Sequence, residues 1–326
     1  MRAVVQDEYG SAPEQVLRLA EVQRPAGGDG DVLVRVRAAS VDRGTWHIMS
    51  GLPYPVRVAG FGVRRPKYLN PGRSMAGTVE SVGAGVTGFR PGDDVYGTTN
   101  GTFAEYAVAQ PARLALKPSN LTFEQAAAVP VSGLAALQAV RDRAAVRAGE
   151  KVLVIGASGG VGSFAVQIAK SLGAEVTGVC STAKVDLVRS LGADHVIDYV
   201  LGGDIGGDGS RYDAIVDIGG NRRLSELRQL LTPRGRLVIT GGETTGRLLG
   251  GSGRQVRAVL LSPFFSQTLG TFISSENAAD LDALRELIET GTVTPAVDRV
   301  YPLDEAAAAV RLLLDGQVRG KVVIVL

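Results

Sequence analysis

Hydrophobic and polar positions change rhythm along the chain. Up to about residue 118 they alternate in short runs. VLVRVRAASV (32–41) has a period of two, AGTVESVGAGV (76–86) is strand-like with a glycine turn, and FAEYAVA (103–109) reads as another strand. Between them lie PAGGDGD, PGRS and RPGDD, whose glycine, proline and aspartate mark turns. Short strands joined by turns predict a small, mostly antiparallel β domain.

From residue 119 the period lengthens. In SNLTFEQAAAV, Thr122 stands three residues before Gln125, the spacing of a capping box that opens a helix. KVLVIGAS (151–158) then reads as a buried strand, VGSFAVQIAKSLG as an amphipathic helix ending at Gly173, and AEVTGVCS (174–181) as the next strand. AKVDLVRSLG, HVIDY, YDAIVDIGG, RLSELRQLLT and RLVITGGE continue the alternation, which predicts a parallel, doubly wound sheet with helices on both faces. LGGDIGGDGSR (201–211) reads as an exposed connector. ADLDALRELIETG and EAAAAVRLLLDG are helices stopped by Gly291 and Gly316, and KVVIVL is a closing strand.

At ~150 residues per domain, 326 residues make about two domains. Composition narrows the chemistry. One Cys cannot form a disulfide within the chain, and Cys180, His47 and His195 cannot supply both a catalytic and a structural zinc site. Lys and Arg number 35 against 33 acids, a balance that supports neither a nucleic-acid nor a membrane partner. No apolar run approaches the ~20 residues of a bilayer span, and the first residues lack the apolar core of a signal peptide, so a cytoplasmic location is expected. The 43 glycines show no collagen-like period and point to turns or to backbone that hugs a ligand.

Part of that glycine is ordered. Gly156, Ala157, Ser158, Gly159, Gly160, Val161 and Gly162 follow a strand and open a helix within one βαβ unit. Read from Ala157, this is a dinucleotide fingerprint with Ala in the first glycine place. Missing side chains let backbone approach a pyrophosphate, and the free N–H groups of the helix N-terminus hold its charge. At the end of the second strand an NAD site places an acid for the ribose 2′-hydroxyl. This chain has Cys180, Ser181 and Thr182 followed by Lys184, which favours the 2′-phosphate and hence NADPH. None of the eight tyrosines has Lys four residues on, which rules out a short-chain dehydrogenase.

Taken as a set, VLVRVRAASVDRGTWH, PGRSMAGTVESVGAGVTGFRPGDDVYG, FAEYA, AAAVPVSGLAALQA, VLVIGASGGVGSFAVQIAK, HVIDY, YDAIVDIGG and RGKVVIVL resemble the medium-chain dehydrogenase/reductase superfamily, in its zinc-independent quinone oxidoreductase-like branch. The resemblance implies an α/β protein with a GroES-like substrate domain (1–120 and 295–326) and a Rossmann NADP(H)-binding domain (121–294). It also implies an active site in the cleft between them and a homodimer or tetramer, with a homodimer expected. Ser132, Tyr199, Gly219, Thr240 and Gly241 join the expected cofactor surface. Zinc-dependent relatives carry a Cys near VDRGTWH and Gly-His-Glu where Gly72-Arg73-Ser74 stands, so no metal site is expected. Quinone-reductase relatives usually have Asn-x-x-Asp where this chain has Asp42-Arg43-Gly44-Thr45.

Without a Lewis acid, hydride transfer suits an acceptor activated by conjugation, a small quinone, enone or other activated carbonyl, whose developing oxyanion needs only hydrogen bonds. A zinc-free carbonyl reductase or alcohol dehydrogenase and a non-catalytic NADPH-binding sensor are the alternatives. Thr45, His47 and Tyr54 are candidate catalytic residues. Asp42, Trp46, Phe264 and Phe265 are candidates for the substrate pocket. The basic, aromatic segment 57–72 could line a substrate entrance.

Overall fold

The computed structural model describes residues 1–207, 209–241 and 252–326, which form two compact units: residues 1–134 with 276–326, and residues 135–275. The expected boundaries fell after residues 120 and 294. Helices near both junctions belong with the β-rich unit.

In that unit, β1 (Arg2–Val5) pairs antiparallel with β2 (Arg18–Glu21), and α1 (Pro13–Val16) lies between them in sequence. This pair carried little alternation and escaped sequence reasoning. β3 (Val32–Val41) is the spine of a seven-stranded, mostly antiparallel sheet. Its Arg35 and Arg37 face solvent while Val32, Val34 and Val36 pack against Met75, Val79 and Val95. The period-two pattern therefore sorts the two faces. After β3 come α2 (Arg43–Ser50), a π-helical turn at Arg57–Phe61, β4 (Ser74–Val82), β5 (Asp94–Thr98), β6 (Tyr106–Ala109), β7 (Leu114–Leu116), α3 (Phe123–Ala127) and α4 (Pro130–Leu137). The Thr122–Gln125 capping box is present, with bonds of 3.1 and 3.3 Å.

The second unit is built on β8 (Lys151–Ile155), α5 (Gly160–Ser171), β9 (Glu175–Cys180), α6 (Val185–Ser190), β10 (His195–Asp198), β11 (Tyr212–Asp217), α7 (Leu224–Gln229), β12 (Leu231–Ile239), α8 (Ser252–Leu261) and β13 (Thr268–Thr271). All its strand pairs are parallel, in the order β10-β9-β8-β11-β12-β13. That is the doubly wound arrangement, whose order reverses between β8 and β11 and opens a crevice at their carboxyl ends. Part of the 201–211 connector is core: Ile205 is buried with Tyr212 and Leu230. Residues 242 and 243, read as the end of β12, lie outside the described residues.

The chain then returns to the first unit through α9 (Ala278–Glu289), β14 (Val297–Pro302), α10 (Ala306–Leu314) and β15 (Lys321–Val325). Tyr96, fully buried, donates its hydroxyl to the Leu281 carbonyl at 2.6 Å and so pins α9 to the sheet. β15 inserts between β14 and β3, with Val322 opposite Val41. KVVIVL thus completes the β-rich sheet.

The Thr122→Ala variant removes one cap bond and should lower unfolding stability by about 1 kcal/mol in denaturant titration.

Candidate functional site

The glycine motif sits at the point where the strand order reverses. Gly156 leaves β8 with φ +86°, a left-handed conformation, and its N–H and that of Ala157 both donate to the Val179 carbonyl at 3.2 and 3.1 Å. Gly159 caps α5 with extended backbone. The N–H groups of the first turn, from Gly160, Val161 and Gly162, then have no acceptor within the helix and face outward from its positive end. A Cβ on Gly162 would lie 2.1 Å from the Gly156 carbonyl oxygen, so this glycine is required by strand–helix packing. At Gly159 the nearest atom to an added Cβ is 3.5 Å away. The protein itself leaves room there, and a pyrophosphate approaching the backbone would use it. Ala157 and Ser158 are buried beneath the turn.

β11 and β12 end beside this turn. Ile218 and Gly219 donate their N–H groups to the Ile155 carbonyl at 3.0 and 3.2 Å, and the Thr240 N–H donates to the Asp217 carbonyl at 3.0 Å. A Cβ on Gly241 would meet the Ile218 oxygen at 2.2 Å. The structure thus brings Gly156, Gly219, Thr240 and Gly241 together. It adds a pair that pattern reading missed. Asp217, fully buried, takes an ion pair from Arg254 at 2.5 Å and the Gly220 N–H at 3.0 Å, while Arg254 also donates to the Arg222 carbonyl at 2.7 Å. This ties α8 to the end of β11.

At the ribose end, Ser181 follows β9 and Lys184 closes a short 3-10 turn, Thr182–Lys184. Tyr199 is drawn alongside by its N–H bond to the Cys180 carbonyl at 3.2 Å, and its ring is exposed. Asp198, an acid absent from the expected set, ends the neighbouring strand. Its carboxyl is held below the usual range chiefly by the Thr182 hydroxyl, with burial opposing and the Val200 and Leu201 N–H groups adding to the lowering. Burial pushes the Cys180 thiol up, helped by Asp198 and opposed by Lys184 and Arg189. Arg189 is therefore a second cation at this end that spacing did not reveal.

The remaining candidates lie in the β-rich unit, apart from the two phenylalanines. Asp42 precedes α2, and its N–H donates to the Thr45 hydroxyl at 3.3 Å, so Thr45, fully buried, serves the helix start. His47 donates its Nδ1–H to the Leu52 carbonyl at 2.6 Å, which fixes the ring and makes Nε2 the acceptor of the neutral form. Trp46 packs edge-on against His47, with ring centroids 5.0 Å apart. Tyr54 is exposed, with the Arg57 guanidinium 5.0 Å from its ring. Arg57 also stacks on Tyr9, and the Tyr9 hydroxyl lies 2.7 and 2.6 Å from the Phe61 and Gly62 carbonyls, which closes the base of the basic segment.

Ser132, expected at the cofactor, donates instead to Asp42 Oδ1 at 3.0 Å, and Ser74 donates to Oδ2 of the same carboxylate at 2.9 Å. Lys321 completes the cluster with a buried ion pair to Asp42 and bonds to the Val41 carbonyl at 3.0 Å and the Ser132 hydroxyl at 3.2 Å. In the sequence, the signal for Lys321 is a lone lysine at the head of the apolar strand KVVIVL. Arg73 grips Glu276 with both oxygens at 2.6 Å, joined by Thr98 and Arg113. In the second unit, Phe265 packs on the core beneath Arg228, 3.2 Å from its ring centroid, whereas Phe264 is 78% exposed. The two phenylalanines do not form one pocket wall.

The matches to known proteins follow this geometry. Residues 28–119 match the alcohol dehydrogenase GroES-like domain, and residues 191–324 match the family described as zinc-binding dehydrogenase. The chain is 33% identical to the quinone oxidoreductase of Sus scrofa over 95% of its own length and 92% of that protein. It superposes on the quinone oxidoreductase of Escherichia coli solved with NADPH, with TM-score 0.83, 25% identity and both chains fully covered. A crystal structure described as an NAD-dependent alcohol dehydrogenase gives TM-score 0.85 and 30% identity, again over both full chains. The chain belongs to the medium-chain dehydrogenase/reductase superfamily. Within it, the quinone oxidoreductase-like branch is its place, and an oxidoreductase using a nicotinamide cofactor is what these relatives support.

The glycine turn fits such a cofactor. Among the described residues no group of three His, Cys, Asp or Glu side chains could hold a metal ion. His47 is committed to Leu52, and His195 to Glu175 at 3.0 Å.

Two substitutions separate packing from binding. Gly162→Ala should cost about 3 kcal/mol of stability or more, because its Cβ meets backbone. Gly159→Ala should cost less than about 1 kcal/mol but weaken nicotinamide nucleotide binding roughly tenfold, measured by fluorescence titration.

Proposed function

We propose that this protein is a zinc-independent, NADPH-dependent reductase of a small quinone, enone or other activated carbonyl. The observation that carries the reading is the ribose end of the glycine turn. Ser181 and Lys184 stand there with Arg189 nearby, and the neighbouring carboxylate, Asp198, is occupied by the Thr182 hydroxyl and two backbone N–H groups. Two cations and hydroxyls suit a 2′-phosphate, whereas a free carboxylate would repel it. Bound at this turn, the cofactor supplies the hydride.

The chain's residues supply the remainder. The first-turn N–H groups of α5 hold the pyrophosphate, and Gly219, Thr240 and Gly241 offer side-chain-free backbone beside it. Among the described residues no side-chain group could hold a Lewis-acid metal, which supports an acceptor that spreads developing charge over its own conjugated system while hydrogen-bond donors stabilise the resulting oxygen. His47, its Nδ1–H fixed by Leu52, and the exposed Tyr54 hydroxyl are the proton-handling groups of α2 and the segment after it. The likeness to an alcohol dehydrogenase supports a second reading, a zinc-free carbonyl reductase, which product analysis separates as C=O rather than C=C reduction.

β13 is the edge of its sheet, and the exposed apolar side chains Val256, Leu260, Phe264 and Ile273 surround it in sequence. An unpaired edge beside apolar surface suits a homodimer.

NADPH should bind at least about tenfold tighter than NADH, and Lys184→Ala should remove most of that advantage while leaving NADH affinity unchanged. Equal affinities in the wild type would overturn the 2′-phosphate argument. NADPH oxidation should be driven by members of a quinone, enone and aldehyde panel, undiminished by chelators; no turnover across the panel points to a nucleotide-binding sensor. Analytical ultracentrifugation should find a dimer that Phe264→Asp with Ile273→Asp converts to monomer.

A further inference from the structure

The buried charge cluster of the β-rich unit joins four segments that are remote in sequence. Asp42 stands at the start of α2, Ser74 at the start of β4, Ser132 in α4 and Lys321 at the start of β15. The β15–β3 register, with Val322 opposite Val41, delivers Lys321 beside Asp42. The side chains of this pair are 2% and 3% exposed. Every polar atom of the pair is used. The ammonium donates to the Val41 carbonyl, to Asp42 Oδ1 and to the Ser132 hydroxyl, and the carboxylate also accepts from Ser132 and Ser74. Ser74 in turn accepts the Val131 N–H at 3.3 Å, which links α4 to β4.

We propose that Lys321 is a positioning residue for the reaction. Its buried ammonium, acting through Asp42 and the Val41 carbonyl, fixes the entry into α2 and thereby the placement of Thr45, Trp46 and His47. The family description includes zinc, and these residues do not fit zinc; the buried cation of this unit is a side chain instead. A stretch of eight helical residues has little independent stability, so α2 takes its position from what holds its ends. The C-terminal end is tied to the start of the chain by the Gln6 side-chain amide, which donates to the Ile48 carbonyl at 3.3 Å, and by the Gly10 N–H, which donates to the Met49 carbonyl at 3.2 Å. The N-terminal end rests on the charge cluster, and an ammonium with three fixed acceptors admits one geometry where an apolar contact would admit several.

The protein carries its own reporter. Trp46 is the sole tryptophan, lies on α2, and packs against His47, the Arg43 guanidinium (5.6 Å from its ring) and the apolar core of the unit. In Lys321→Ala, the missing atoms match those of propylammonium. Trp46 emission should shift to the red and become more accessible to acrylamide in this variant. Turnover should fall about tenfold or more, mainly in kcat, as expected for a misplaced catalytic segment. Propylammonium should restore both, and 1-propanol, of the same shape without charge, should restore neither. Wild-type emission in Lys321→Ala, or rescue by propanol equal to that by propylammonium, overturns the proposal.

Should Lys321→Ala fail to fold, Asp42→Asn with Lys321→Met removes both charges together. Wild-type emission and kcat in that pair show a purely stabilising role and sink the proposal; shifted emission with reduced kcat supports it. The kinetic arm rests on the reductase reading. The emission arm needs neither cofactor nor substrate, so failure of the two ideas is told apart.

Discussion

A buried charge must meet its counter-charge inside the fold, and in the β-rich unit that requirement binds Asp42 to a lysine 279 residues away. The pair adds little stability relative to an apolar core. Breaking it leaves an uncompensated charge, at a cost of about 3–5 kcal/mol. The unit is therefore complete only with the C-terminal strand, which returns to lie between β14 and β3. That return makes the unit discontinuous in sequence, with residues 135–275 folded as a separate unit between its two parts.

The second unit follows a different logic. Its proposed nucleotide site is made of backbone, the kind of surface that recognises a pyrophosphate by N–H groups and by closeness of approach. Gly162 is demanded by the Gly156 carbonyl and Gly241 by the Ile218 carbonyl, while Gly159 is not crowded by the protein at all. Side chains matter at the ends: Asp217 and Arg254 brace the end of β11, and Lys184 and Arg189 place positive charge near the end of β9.

The features that pattern reading found rest on neighbours in sequence. The capping box at Thr122, the βαβ alternation, the glycine turn and the two-period strand at 32–41 each depend on residues a few positions apart. Features built by distant residues escaped it. Ser132 was expected at the cofactor and instead serves Asp42. Ile205, in a Gly/Asp-rich connector, is core because β11 and α7 cover it. The hairpin-like pair β1–β2 has too short an alternation in either strand to show itself.

The sequence alone determined the kinds of unit, the parallel and antiparallel sheets, the glycine turn and the shortage of Cys and His, because periodicity, turn chemistry and residue counts are local or additive properties. Only the tertiary structure decided which polar side chains meet. It turned Lys321 into the partner of Asp42, Glu276 into that of Arg73, and Arg254 into that of Asp217. Such pairings follow strand register and helix docking, which no spacing along the chain encodes.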